Sequence, residues 1–321
     1  MKVKKVYACF NVDMDLKLKS SSGGIFFSLA EYVFERKGIV YGVAMTEDCY
    51  SAEFISVVDK SSLVKLCGSK YLQAKIGNTF KKVKQDLQTG RTVMFTGTAC
   101  QINGLKNFLG KEYDNLICVD VICHGVPSAA LWEKYVKNQE KKYNGKLIDI
   151  NFRCKDKNWE NYGLKETFEN YKENNLKTIY VSRNEDSYMQ LFLKDYCLRP
   201  SCYNCIVKNH KISDLTIGDF WGINDVASEM NDGMGTSLVI IRTNKGENVF
   251  DSISHKIKMK EVTYEQSVKY NTAEFNSVNC PIYRKKFYTD LKLMDFNKFE
   301  KKYLKNTLIS KIIRKLTNLV N

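Results

Sequence analysis

The 321-residue chain contains only three prolines and three histidines, and eight arginines against 42 lysines. So few prolines leave little punctuation, and no low-complexity segment, internal repeat or flexible linker divides the chain. No run of eighteen apolar residues occurs, and Met1-Lys2-Val3-Lys4-Lys5-Val6-Tyr7 enters a strand-like segment directly instead of an apolar signal core. The expected location is therefore the cytoplasm. No G-x-G-x-x-G follows the first strand, so a nicotinamide cofactor has no support. The net charge of +14 would suit nucleic acid, but scarce arginine and the lack of aromatic-basic interleaving count against that partner.

What is plentiful is cysteine: eleven in a chain without an export signal. In a reducing compartment these are thiols available to bind metal, not disulfides. Cys9, Cys49, Cys118 and Cys280 read as small buried hydrophobes.

Strand-like runs alternate with helical patterns at 24–36, 72–88, 101–109, 129–142, 186–196 and 283–294, which predicts an α/β fold with a largely parallel sheet and flanking helices. The polar stretch 155–185 reads as part of an antiparallel excursion spanning about 150–185. Residues 1–292 are expected to form the main domain and 293–321 a basic helical tail. Within 297–321 seven basic side chains face one acid, and Leu304, Leu308, Ile312 and Leu316 recur at helical spacing. Such a helix suits peripheral contact with the inner face of a cell membrane, or docking on its own domain.

Two strands run into cysteines, at Thr96-Gly97-Thr98-Ala99-Cys100-Gln101 and at Cys123-His124-Gly125-Val126-Pro127-Ser128. If the two units form a right-handed crossover, Cys100 and Cys123 stand together past the carboxyl ends of parallel strands. A C-x-x-C pair, Cys202 and Cys205, follows. Four thiols are what a cubane cluster requires. The spacing equally permits a zinc site on Cys197, Cys202, Cys205 and His210, and with it a zinc-stabilised, basic binding or scaffold protein without redox activity. Ser20-Ser21-Ser22-Gly23-Gly24 before one helix, and Gly68-Ser69-Lys70-Tyr71 before a helix expected from Leu72, offer anion cradles. Asp219 and Trp221, after the strand near 214–218, could face a ring-shaped ligand.

In this order the motifs resemble the coenzyme F420 hydrogenase/dehydrogenase beta-subunit family, in particular a bacterial branch associated with surface-polysaccharide biosynthesis. The likeness runs over roughly residues 5–290, with the family's N-terminal part at about 15–95 and its C-terminal part at about 96–265. It implies an oxidoreductase with a 4Fe-4S cluster beside a flavin, FAD rather than FMN, passing electrons between an iron-sulfur partner and a small organic or glycan-related substrate. By the same likeness Cys100, Cys123, Cys202 and Cys205 are the cluster ligands. Ser22, Gly23, Gly24, Ser69, Lys70, Tyr71, Thr96, Gly97, Thr98 and Gln101 are flavin contacts, and Lys70, His124 and Asp219 are catalytic candidates, with Lys70 and Arg242 placed to stabilise reduced-flavin charge. Ala99 replaces the family's usual proline, and Cys67 and Cys154 are extra thiols that could serve as alternative ligands. The N-terminal ferredoxin module carried by many relatives is not found, so electrons are expected from a separate ferredoxin-like donor.

Overall fold

The computed structural model describes residues 3–172 and 175–304. Twelve strands are assigned among them: β1 (Lys5–Asn11), β2 (Ile39–Met45), β3 (Ala52–Val57), β4 (Ala74–Lys75), β5 (Val93–Thr98), β6 (Leu116–Val121), β7 (Gly145–Cys154), β8 (Gly163–Asn170), β9 (Leu176–Ser182), β10 (Leu215–Asp219), β11 (Ser237–Ile241) and β12 (Ile257–Glu261). Nine form one sheet in the order β12-β1-β11-β10-β6-β5-β2-β3-β4. Strands β10, β6, β5 and β2 run parallel in its centre, and antiparallel partners flank them. The expected α/β class holds, with mixed edges around a parallel centre.

Covered by helices on both faces, the parallel strands β2, β5 and β6 carry apolar residues on each side. Tyr41, Phe95 and Cys118 pack under the helices Thr79–Gln88, Ala99–Leu109 and Ala129–Tyr143, while Val40, Met94 and Val119 join the opposite core with the helix Ile25–Glu35. Because β10 is parallel to β6 and antiparallel to β11, and β1 is antiparallel to β11, the carboxyl ends of β1, β10, β6, β5 and β2 share one edge.

The polar excursion is the three-stranded antiparallel sheet β7-β8-β9. Its inner face carries Leu164, Glu166 and Phe168. There the Tyr135 hydroxyl meets Glu166 Oε1 at 2.9 Å and Asp186 Oδ2 at 2.7 Å. One hydroxyl carries one hydrogen, so the second contact needs a carboxylic proton. Burial, reinforced by the Asp186 charge, pushes Glu166 up to about 8, and burial pushes Asp186 up to about 6. The folded chain therefore holds a proton that the unfolded chain releases near pH 4.5, and stability falls as pH rises from there to about 8. Glu166→Gln keeps a neutral amide in place. Its melting temperature is expected to vary less between pH 5 and 9 and to exceed the parent's at pH 9 by roughly 5 °C, a few kcal/mol. Parallel melting curves for the two proteins would reject the buried proton.

Two expectations change. No helix begins at Leu72: Leu72 and Ala74 are buried in extended chain, Ala74 beside Ala52, and the helix starts at Thr79 after Gly77 turns with φ +50°. Cys280 is exposed, whereas Cys9, Cys49 and Cys118 are buried. The described start of the tail, the helix Phe296–Leu304, buries Phe296, Phe299 and Tyr303 against the main body and leaves Lys298 and Lys301 outward. The rest of the expected basic helix lies outside the described residues. Among the described residues no helix is long and apolar enough to cross a membrane.

Candidate functional site

Thr98 ends β5 and caps the helix Ala99–Leu109, its backbone N–H donating to Gln101 Oε1 at 2.8 Å. This capping box turns the chain so that Cys100 lies exposed in the first helical turn. Next to it, β6 gives way to Cys123 and the 123–128 loop. That loop also receives the C-x-x-C. Pro127 bridges Leu198, Arg199 N–H donates to the Val126 carbonyl at 2.9 Å, Ser128 N–H to the Cys197 carbonyl at 2.8 Å, and Val126 N–H to Cys202 Sγ at 3.4 Å. From the other side Asn103 Nδ2 donates to the His210 carbonyl at 2.7 Å, binding the helix to the segment after Cys205.

The result is one cavity lined by Cys100, Cys123, Cys202 and Cys205 together with Thr98, His124, Lys208 and Lys211. Burial pushes the Cys123 thiol up to about 12, partly opposed by Lys208, and burial also raises Cys202. Beneath, Lys211 pairs with the buried Glu274, which also receives Arg242. Lys208 differs. Its ammonium donates to the carbonyls of Cys123, at 2.7 Å, and Ala273, and no carboxylate lies within ion-pair reach of it among the described residues. Burial works against this charge, and the sulfurs of Cys123 and Cys205 favour it. Four thiols and a cation without a carboxylate partner suit an anionic occupant.

A single zinc with bonds of about 2.3 Å would draw its sulfurs to about 3.8 Å of one another. Among the described residues no three His, Cys, Asp or Glu side chains are gathered around such a point. A four-iron cluster would hang each thiolate on a different iron, and four cysteines are the donor set it takes. The alternative zinc set is not assembled: the Cys197 sulfur is buried against the Leu191 carbonyl, 3.8 Å away, and neither Cys197 nor His210 lines the cavity. Cys67 and Cys154 are also elsewhere, Cys67 donating to the Leu63 carbonyl and Cys154 buried in β7.

The serine-glycine loops meet at the same sheet edge. Ser21 Oγ lies 3.1 Å from Ser69 Oγ and accepts from Ser69 N–H at 2.8 Å. Gly24, at φ +86°, starts the helix Ile25–Glu35, and a Cβ on Gly23 would meet the Cys9 carbonyl at 2.6 Å. Ser22 Oγ donates to the Thr236 carbonyl. Arg153 of β7, 4% exposed, reaches across to donate to Asp219 Oδ2 at 2.6 Å, Tyr71 Oη at 3.3 Å and the Ser21 carbonyl at 3.3 Å. Lys155 donates to the carbonyls of Lys17, Ser22 and Met234, and burial pushes it down to about 7. Trp159 donates to Asp219 Oδ1 at 3.2 Å and stacks on Trp221, ring centres 4.9 Å apart. Phe192 joins the two regions, with its ring centre 5.2 Å from Tyr71 and 5.3 Å from His124.

Several expected contacts are occupied within the fold. The buried Thr96 hydroxyl donates to the Tyr41 carbonyl, Gln101 serves the helix cap, and a Cβ on Gly97 would meet Gln101 Oε1 at 2.8 Å. Asp219 is held by Arg153 and Trp159, and His124 Nε2 lies 2.6 Å from Asp195 Oδ1. Lys70 donates to the carbonyls of Lys65 and Cys67, and burial pushes it down to about 8. Arg242 extends past the end of β11 beside the start of β10, away from these loops, and serves Thr216 and Glu274. Residues unmarked by any motif complete the region: Arg153, Lys155, Trp159, Phe192 and Lys208. Rarity of residue type was the only sequence signal for Arg153 and Trp159, and Lys155, Phe192 and Lys208 had none.

An α/β sheet with a thiol-lined cavity and a serine-glycine cradle at one carboxyl edge is the frame of a redox-related protein. The chain belongs to the coenzyme F420 hydrogenase/dehydrogenase beta-subunit family: the model for the C terminus of the coenzyme F420 hydrogenase/dehydrogenase beta subunit matches residues 90–267, more than half its length. In three dimensions it is similar to a chain of the F420-reducing nickel-iron hydrogenase complex from Methanosarcina barkeri, with 14% identity, a TM-score of 0.54, and coverage of 94% of this chain and 93% of that one. At that identity the likeness speaks for the fold. No curated protein matches.

Proposed function

We propose that this member of the family is an iron-sulfur flavoprotein oxidoreductase. In this reading Cys100, Cys123, Cys202 and Cys205 hold a 4Fe-4S cluster, and the loops at Ser20–Gly24 and Gly68–Tyr71 hold a flavin, FAD in preference to FMN. Electrons come from a ferredoxin-like donor and leave to a small organic substrate; a place in surface-polysaccharide synthesis extends the proposal. A cluster exchanges single electrons and a flavin one or two, which is the chemistry such a site supplies when loaded. The observation that carries the reading is the convergence of four thiols and the carboxylate-free Lys208 in one cavity. The chain's own part is electrostatic and positional. Lys208 offsets negative charge, the Val126 N–H donates to the Cys202 sulfur, and Thr98 Oγ1 lies 3.1 Å from the Cys100 sulfur. Phe192 packs against both Tyr71 and His124 and so links the two regions.

Protein purified without oxygen is expected to be brown-yellow, with a broad absorption near 400 nm that dithionite bleaches, and to release flavin on denaturation. Colourless protein containing zinc and no flavin would overturn the proposal.

A further inference from the structure

The face of the molecule over the C-x-x-C has an unusual charge pattern. Residues 196–213 present the exposed Arg199, residues 275–289 contain Arg284 and the exposed Lys285 and Lys286, and neither segment contains an aspartate or glutamate. The two segments are packed together. Arg284 Nη2 donates to the Leu198 carbonyl at 2.7 Å, Tyr288 Oη to the Cys197 carbonyl at 2.8 Å, and Cys205 N–H to Ser277 Oγ at 2.9 Å. Beyond Arg284 a groove continues along the helix Arg284–Leu293, lined by Lys285, Tyr288, Lys292 and Leu293. Large apolar side chains stand out among these cations: Ile206, next to Cys205, is 74% exposed, Ile282 63% and Leu293 80%. Arg199, Lys285 and Lys286 are exposed as well.

Exposed apolar groups ringed by charges of one sign mark a binding face, and the sign selects the partner. A second copy of this chain would set cations against cations. We infer that this face docks a small acidic one-electron carrier protein, with Ile206 and Ile282 at the contact and Arg199, Lys285 and Lys286 steering the approach. Docking there brings the carrier to Cys205 and the cavity behind it. One electron then passes from the carrier's reduced centre to the centre held by the four cysteines; the first is oxidised, the second reduced, and no bond is made or broken. The inference rests on the proposed cluster.

The test uses the full chain, loaded and purified without oxygen, with reduced plant-type two-iron ferredoxin as the acidic probe in a stopped-flow measurement. The second-order rate is expected to fall about tenfold between roughly 0.05 and 0.5 M salt. Lys285→Glu with Lys286→Glu should slow transfer about tenfold at low salt and flatten its salt dependence, while Lys285→Arg with Lys286→Arg should retain it. Acid-labile sulfide equal to the parent's shows that a variant is loaded. A rate indifferent to salt and to charge reversal in loaded protein overturns the docking face and leaves the proposed cluster standing; absence of iron and sulfide from the parent protein overturns the cluster itself. Dimers that the reversal dissociates, with an unchanged transfer rate, would assign the face to a second copy and overturn the inference too.

Discussion

Replacing Cys123 with serine is expected to remove the visible chromophore almost completely, whereas replacing Cys197 with alanine, only a few residues from the C-x-x-C, should leave it intact. The contrast comes from geometry. Cys123 lines the cavity with Cys100, Cys202 and Cys205, while the Cys197 sulfur is buried outside it among apolar groups. Serine offers a harder, more basic oxygen in place of a thiolate, and the remaining three sulfurs cannot fill four corners. Iron and acid-labile sulfide per chain should drop at least about tenfold in Cys123→Ser, on the order of what disrupting even an outer-shell partner can cost a metal site. Cys197→Ala deletes one small buried group, with a stability loss of about 1–2 kcal/mol and no change in iron content. Iron retained by Cys123→Ser, or lost from Cys197→Ala, would overturn the assignment of Cys100, Cys123, Cys202 and Cys205 as the four ligands.

Arg153→Met should be the most destabilising single change at the serine-glycine edge. Arg153 is the cation of Asp219, lies 3.9 Å from the Tyr162 ring centre, and ties β7 to both the 20–24 and 68–71 loops. Burial disfavours its charge, yet Asp219 and the tyrosines around it hold the guanidinium firmly protonated. Methionine fills a similar volume and leaves Asp219 without its cation, a loss of roughly 3–5 kcal/mol for a buried pair. Calorimetry should show this as a fall in melting temperature of about 10 °C. Adding Asp219→Asn should recover part of the loss, because the orphaned charge is then gone. Equal stability of Arg153→Met and the parent would mean that the ion pair does not join the excursion to the sheet.

The legible parts of the molecule were those in which local pattern and long-range packing agree. The central strands at Ile39, Val93 and Leu116 bury apolar residues on both faces, so their alternation with helices was readable. β12 was not anticipated: Ile257–Glu261 carries charges at three of its five positions, and pairing with β1 makes it a strand. The segment after Tyr71 misled because its apolar residues fit helical spacing, while pairing with β3 and the Gly77 turn impose extended chain. At the candidate site, strand-end position suggested that Cys100 and Cys123 would meet. The union with Cys202 and Cys205 depends on backbone bonds between the 123–128 loop and residues 197–202, which spacing does not encode. Arg153 and Lys208 were illegible for the same reason: their roles arise only when the excursion folds over the edge and when Ala273 closes on the cavity.

The place of β1 in the sheet bears on how the chain is made. Its partners, β11 and β12, begin at Ser237 and Ile257, so this strand, once it leaves the ribosome, finds neither neighbour until more than two hundred further residues exist. At about 5–20 residues per second, that leaves an apolar strand with two open edges for roughly 12–50 s. Through that interval Val6, Ala8 and Leu238, which share one core at the end, are not yet together. Chaperone demand during synthesis should therefore track the delay before the last strands emerge, and slowing translation between residues 200 and 260 should lower soluble yield without altering the finished protein.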